Sequence, residues 1–329
     1  MSYYKDLKSY PQLLFLIPPI FVYILANILF EISVDPIQPL INKLIELENV
    51  NMIFNLNNSL IELKARYIWL ATAILNIIIP IVAIIVSILL ITYYLKETKL
   101  KLTFITAIIL SLLSLAAILY SANAKTALFE LVFGFTYKNL LQSGHYSQQF
   151  LLNIKIVIMI INFLAAITPI FLLLAVCAIL ALPAIPHIIH DPNDIILRMH
   201  KLKDLVNVGS VFLVFGILHM NMWLNWTAGL VGDSKLSNYI SGAAWSISTY
   251  WGVTFTLILA VTYLPASAYL QIKAREQISR GELGKESKEV DEWLKENGLT
   301  FTFSNQVIQF IAIMSPFLAT PIGNILKLS

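Results

Sequence analysis

Charge is scarce in this chain, and cysteine nearly absent. Asp, Glu, Lys and Arg make up 12% of 329 residues, against roughly 25% in soluble domains. Six long segments contain none of the four: about 13–30, 67–94, 103–120, 156–182, 208–228 and 247–272. With 58% apolar residues, too little polar surface remains to cover soluble domains of this total length. The single cysteine, Cys177, excludes internal disulfides and cysteine-based metal sites. A net charge of +3 provides no basic surface for nucleic acid.

Catalytic signatures are missing as well. There is no Gly-x-Ser-x-Gly, no His-Glu-x-x-His and no carboxylate pair inside a span. The five histidines, His145, His187, His190, His200 and His219, are too few for a membrane di-iron oxygenase. Ionisable groups within a membrane are costly and mark proton or ion pathways when they occur. Their absence from the six segments argues against an enzyme and against an ion-coupled carrier. No cofactor is expected.

What is present is apolar length. A hydrocarbon core of ~30 Å takes about 20 helical residues, and lipid offers no partners for a non-helical backbone. The expected fold is therefore an all-α polytopic membrane protein: a bundle of six transmembrane helices and no sizeable soluble domain. A seventh apolar stretch, 307–326, carries Gln309, Ser315, Pro316, Thr320, Pro321 and Asn324. Two prolines five residues apart free backbone acceptors. The stretch is read as a Pro-broken seventh span or a re-entrant segment, buried among helices or facing a cavity. The first span follows Lys5 and Lys8 and exceeds a usual signal-peptide core, so it is read as retained.

Basic residues set the orientation. With the N-terminus inside, fourteen Lys/Arg fall on inner segments and seven on outer ones, with Lys96, Lys99 and Lys101 the sharpest group. A bacterial inner membrane with a cytoplasmic N-terminus is expected. Amphipathic helices are expected over 39–48 and 288–297, the latter capped by Ser287 with Val290, Trp293 and Leu294 on one face. A segment with Phe129, Leu131, Val132, Phe133 and Phe135 is expected to dip into the outer interface. Trp69, Trp223, Trp226, Trp245 and Trp251 are read as headgroup-level anchors.

The candidate functional residues are mostly neutral. His219 with Asn221 and Asn225 lies in the outer half of the fifth span, where an imidazole can face a polar path. Asn76 and Asn162 each precede a proline, in the second and fourth spans. Ser315, Pro316, Thr320 and Pro321 complete the pore or polar-path set. His187, His190 and Asp191 form a weak metal candidate, interrupted by Pro186 and Pro192. Gly209, Gly216, Gly252 and Ala260 suggest close helix contacts, and Ala107, Ser111 and Ser114 a packing stripe. These features favour a non-enzymatic, channel-like or pore-forming protein, oligomeric and partnered by the lipid bilayer. The alternatives are a membrane-embedded scaffold subunit bound to a partner membrane protein, or an uncoupled transporter of a neutral or apolar solute.

Overall fold

A computed structural model describes residues 11–34, 56–95, 97–124, 126, 129–181, 192–231, 234–280, 287–296 and 303–328. A 3-10 turn, Pro11–Leu16, leads into α1 (Ile17–Val34). Then follow α2 (Leu56–Tyr94), α3 (Glu97–Ala124), a π-helical turn (Glu130–Gly134), α4 (Phe135–Gln142), α5 (Gln148–Leu180) and α6 (Pro192–Leu230). The chain ends in α7 (Ser234–Arg280), α8 (Ser287–Glu296) and α9 (Phe303–Leu328). Among the described residues there is no strand.

Six helices, α1, α2, α3, α5, α6 and α7, are long and apolar enough to cross a membrane. The protein is an all-α polytopic membrane protein. Large aliphatic side chains such as Ile78, Ile85, Leu112, Ile156 and Val253 stand exposed along these helices. A water-facing surface would not tolerate so continuous an apolar cover, whereas hydrocarbon does.

Helices outrun the charge-free segments at several ends: α2 begins at Leu56, α6 at Pro192, and α7 extends to Arg280. Backbone hydrogen bonding continues past the charge-free part, where charged side chains are solvated or, like Glu62 and Arg198, bonded within the bundle. An apolar window therefore marks only the hydrocarbon part of a helix.

α6 is the axis of the bundle. Its apolar window is 61% buried, against 6% for α3. It packs on α2, α7 and α9, while α3 leans on α5 at the edge. Ala107 is the buried residue of the α3 stripe; Ser111 and Ser114 are half-buried.

At one end of the bundle, buried Arg198 of α6 closes α5. Its Nη1 donates to the carbonyls of Ile179 (2.6 Å) and Ala181 (3.4 Å), and its Nε to Asp194 Oδ2 (2.8 Å). Those carbonyls at the helix end lack intrahelical donors, and a cation there also matches the helix dipole. The guanidinium also lies 4.5 Å from the Tyr94 ring centroid. α8 forms close to the expected bounds, with Leu294 buried and Trp293 half-buried on the core. The expected helix over 39–48 lies outside the described residues.

The C-terminal segment departs from the expected break. α9 is one helix with Pro316 and Pro321 inside it, and its apolar part is Val307–Gly323. That part is 17 residues, at the short end of spanning length. One face is buried (Gln309, Ile313, Pro316, Ala319, Thr320), while Leu318, Pro321 and Ile322 are exposed. The helix survives because a neighbour supplies the hydrogen bond that proline removes, as described below.

The indoles also depart from expectation. Trp69, Trp223, Trp226 and Trp251 are at most 4% exposed; Trp245 alone among the five is open, at 44%. Trp69, Trp223 and Trp226 stack in one interior cluster with centroids 5.0–5.8 Å apart. Contact with neighbouring rings and helices, together with a partner for the Trp226 N–H, replaces the headgroup environment.

Candidate functional site: a neutral polar seam and a buried carboxylate

Residues of α6 separate onto two faces. At 3.6 residues per turn, Asn221 and Asn225 lie roughly 200° around the helix from His219 and Trp223. Asn221 meets α7 and α9, and Asn225 bonds back to it. The second pair, with Trp226, meets α2.

The seam between α6, α7 and α9 is held by close backbone approach. Pro316 lacks an N–H, so the carbonyl of Ala312, four residues earlier, loses its helical donor. Ser210 Oγ of α6 donates to that carbonyl at 2.6 Å, and Ser315 Oγ at 2.8 Å. The two hydroxyls also lie within hydrogen-bonding reach of each other. At Gly252 of α7, an added Cβ would stand 2.9 Å from the Pro316 carbonyl and 3.3 Å from Thr320 Oγ1. At Gly323 of α9, it would stand 3.0 Å from Asn221 Oδ1. Glycine is needed at these crossings because backbone and polar atoms occupy the space of a methyl group. Gly209 has ordinary contacts and Gly216 has open space around it, so neither is a tight crossing.

Neutral polar groups run along this seam. Asn221 Nδ2 donates to Ser248 Oγ at 3.1 Å, and both residues are fully buried. Asn225 Nδ2 donates to Asn221 Oδ1 and to its backbone carbonyl, each at 2.9 Å. One turn before the Ser210–Ala312 contact lie Asn207 on α6 and Gln309 on α9. The Oδ1 atoms of Asn207 and Asn225, Gln309 Oε1 and Thr320 Oγ1 are enclosed without a hydrogen-bond partner in the protein. Unpaired buried acceptors are uncommon in native interiors and call for an explanation.

On the opposite face, α2 and α6 meet at Glu62. This carboxylate is 7% exposed. Its Oε1 accepts from the Tyr146 hydroxyl at 2.5 Å and from Trp226 Nε1 at 2.8 Å. Arg66, one turn along α2, places Nε 3.4 Å from the same oxygen. The Arg66 guanidinium lies 5.9 Å from the ring centroids of Tyr146 and Phe150. Gly229 allows the approach: a Cβ there would stand 3.3 Å from Ala65 Cβ and 3.4 Å from Glu62 Cα. Burial, then the bond to Glu62, raises the Tyr146 phenol above its ordinary pKa. It therefore stays a donor. Thr136 of α4 joins this end, donating to the Trp223 carbonyl at 3.2 Å and accepting from Thr227 Oγ1 at 3.0 Å.

The expected residues are thus partly gathered. Asn221, Ser315, Pro316 and Thr320 share the seam. His219 is buried on the other face, its ring 5.8 Å from Trp69, with Nδ1 unpartnered. Asn76 is buried on α2, Asn162 is half-buried on α5, and Pro321 is exposed. His187, His190 and Asp191 lie outside the described residues. Among the described residues, no three His, Cys, Asp or Glu side chains gather as metal ligands would.

Sequence reasoning missed Ser210, Ser248 and Glu62. Glu62 and Arg66 at i, i+4, just before the second apolar segment, were the available signal. Ending the span at its last charge concealed it. No protein-family model, no curated protein and no solved structure matches the chain.

Proposed function

We propose that this protein is a non-enzymatic, channel-like membrane protein that passes a small, uncharged, hydrogen-bonding solute along the α6–α7–α9 seam. One observation carries the reading: a series of neutral polar groups, several with unused acceptors, where α9 packs between the spanning helices α6 and α7. Asn225 lies 18 residues beyond Asn207 on α6, about 27 Å along the helix. That length is close to the ~30 Å of a hydrocarbon core.

The seam has no Asp, Glu, Lys or Arg among Asn207, Ser210, Asn221, Asn225, Ser248, Gln309, Ser315 and Thr320. A charged solute would find no counter-charge there, whereas a neutral one can exchange water for these amides and hydroxyls. Conduction requires the tight contact of Gly252 with Pro316 to loosen, so the arrangement described is the closed one. The basic asymmetry supports an N-terminus on the inner side, and the abundance of Ile, Leu, Lys and Asn favours a bacterial inner membrane.

The test is solute permeability of proteoliposomes by light scattering, with water, urea, glycerol and potassium ions. Urea or glycerol should pass faster than through protein-free vesicles, and potassium should not. Thr320→Val, which keeps the shape and removes the hydroxyl, should slow the flux severalfold. Vesicles no leakier than protein-free controls for every solute would refute the reading.

A further inference from the structure

We infer that Glu62, Tyr146 and Trp226 form a latch that holds α6 against α2 and thereby keeps the far face of α6, the polar seam, shut. The use of the seam as a path rests on the function proposed above, but the latch itself concerns packing and is tested without flux.

The geometry has three parts. First, the latch joins three separate pieces of chain at one atom. Glu62 Oε1 on α2 receives the hydroxyl of Tyr146, which precedes α5, and the indole N–H of Trp226 near the end of α6. Both hydrogen bonds converge on one oxygen of a buried side chain. Second, it sits at a close α2–α6 contact, where Gly229 lies against Glu62 and Ala65. A small rotation of α6 there moves the whole outer half of the helix. Third, the same turns of α6 carry the seam. Asn225 adjoins Trp226, and Asn221 lies about one turn before it, bonded to Ser248 and against Gly323. A helix pinned on one face by directed hydrogen bonds cannot turn about its own axis. Releasing Trp226 frees α6 to rotate, which carries Asn221 away from Ser248 and Gly323.

The charges facing this site support a latch over a simple ion pair. Arg66 reaches the carboxylate at ion-pair distance but without hydrogen-bond geometry, so the two neutral donors make the directed contacts. A neutral donor can leave without stranding a second charge.

The experiment uses thiol access. Cys177→Ala removes the only cysteine, and Ser248→Cys, a change of oxygen to sulfur at a fully buried site, places a probe in the seam. A small, uncharged thiol reagent, of the kind the seam should admit, is added to the full-length protein in proteoliposomes. The probe should react slowly in the parent. Tyr146→Phe, which deletes one donor to Glu62, should speed its labelling by roughly tenfold, and Glu62→Gln, whose amide oxygen still accepts both bonds, should speed it by a smaller factor. Arg66→Gln, which keeps both donors, should change labelling less. Thermal unfolding of each variant reports whether it is folded; if Glu62→Gln does not fold, Tyr146→Phe decides. Unchanged labelling in the folded variants overturns the latch, even if solute flux is observed. Faster labelling with no flux in any variant sustains the latch and refutes the path.

Discussion

Removing both Ser210 and Ser315 hydroxyls should reveal that a proline in α9 is tolerated only because its neighbours repair it. In the parent, the Ala312 carbonyl receives Ser210 Oγ at 2.6 Å and Ser315 Oγ at 2.8 Å. Either serine alone can keep that acceptor satisfied. Ser210→Ala or Ser315→Ala singly should therefore cost about 0.6 kcal/mol, the average for a side-chain hydrogen bond in a membrane protein. The double variant leaves a buried carbonyl with no donor, at roughly 1–3 kcal/mol. The pair should thus be non-additive, the double change exceeding the two single costs combined.

Pro316→Ala provides the decisive arm. It restores an N–H that can bond Ala312 O but also removes ring packing at a buried position. In the parent background that packing loss should dominate. In the double-serine background the new N–H should offset it by about 1 kcal/mol. Reversible unfolding in mixed micelles measures each corner of the cycle. A double-serine variant within ~0.3 kcal/mol of the parent, or an identical Pro316→Ala effect in both backgrounds, would refute the reasoning.

Two glycine changes should part company under the same assay. Gly252→Ala drives a methyl group toward the Pro316 carbonyl and should cost about 1–3 kcal/mol, whereas Gly216→Ala, with nothing within 4 Å of the new Cβ, should be neutral or slightly stabilising through helix propensity. Equal effects would mean that the α7–α9 crossing is not tight. Alkaline titration should expose Tyr146. Its folded-state pKa is raised by burial and by Glu62, so its contribution is intact below the unfolded value of ~10 and is lost as pH climbs through and above it. Tyr146→Phe should flatten the fall in stability above pH ~10, and a slope like that of the parent would count against the buried phenol.

How far the sequence reaches is clear from particular residues. Charge-free runs of spanning length determined the helices and their membrane setting, because hydrocarbon leaves the backbone no other partner. The amphipathic spacing around Trp293 and Leu294 likewise marked α8. Helix ends were hidden, since Glu62 and Arg66 look like a boundary when only charge is read. Trp223 and Trp226 looked like interface anchors because composition cannot say which way a ring points.

What packs on what was decided only in three dimensions. Ser210 and Ala312 are 102 residues apart, and Trp226 and Glu62 are 164 apart. No local pattern links them. A proline's missing donor is visible in the sequence at Pro316, but the hydroxyl that answers it belongs to another helix. Its position follows from how Gly252 and Gly323 let three backbones approach. Local chemistry thus determines that a helix forms and that it spans, because both depend on hydrogen bonds within one segment and on the surrounding lipid. Which polar groups become partners depends on helix crossings, and those are set by the shapes of all the helices together.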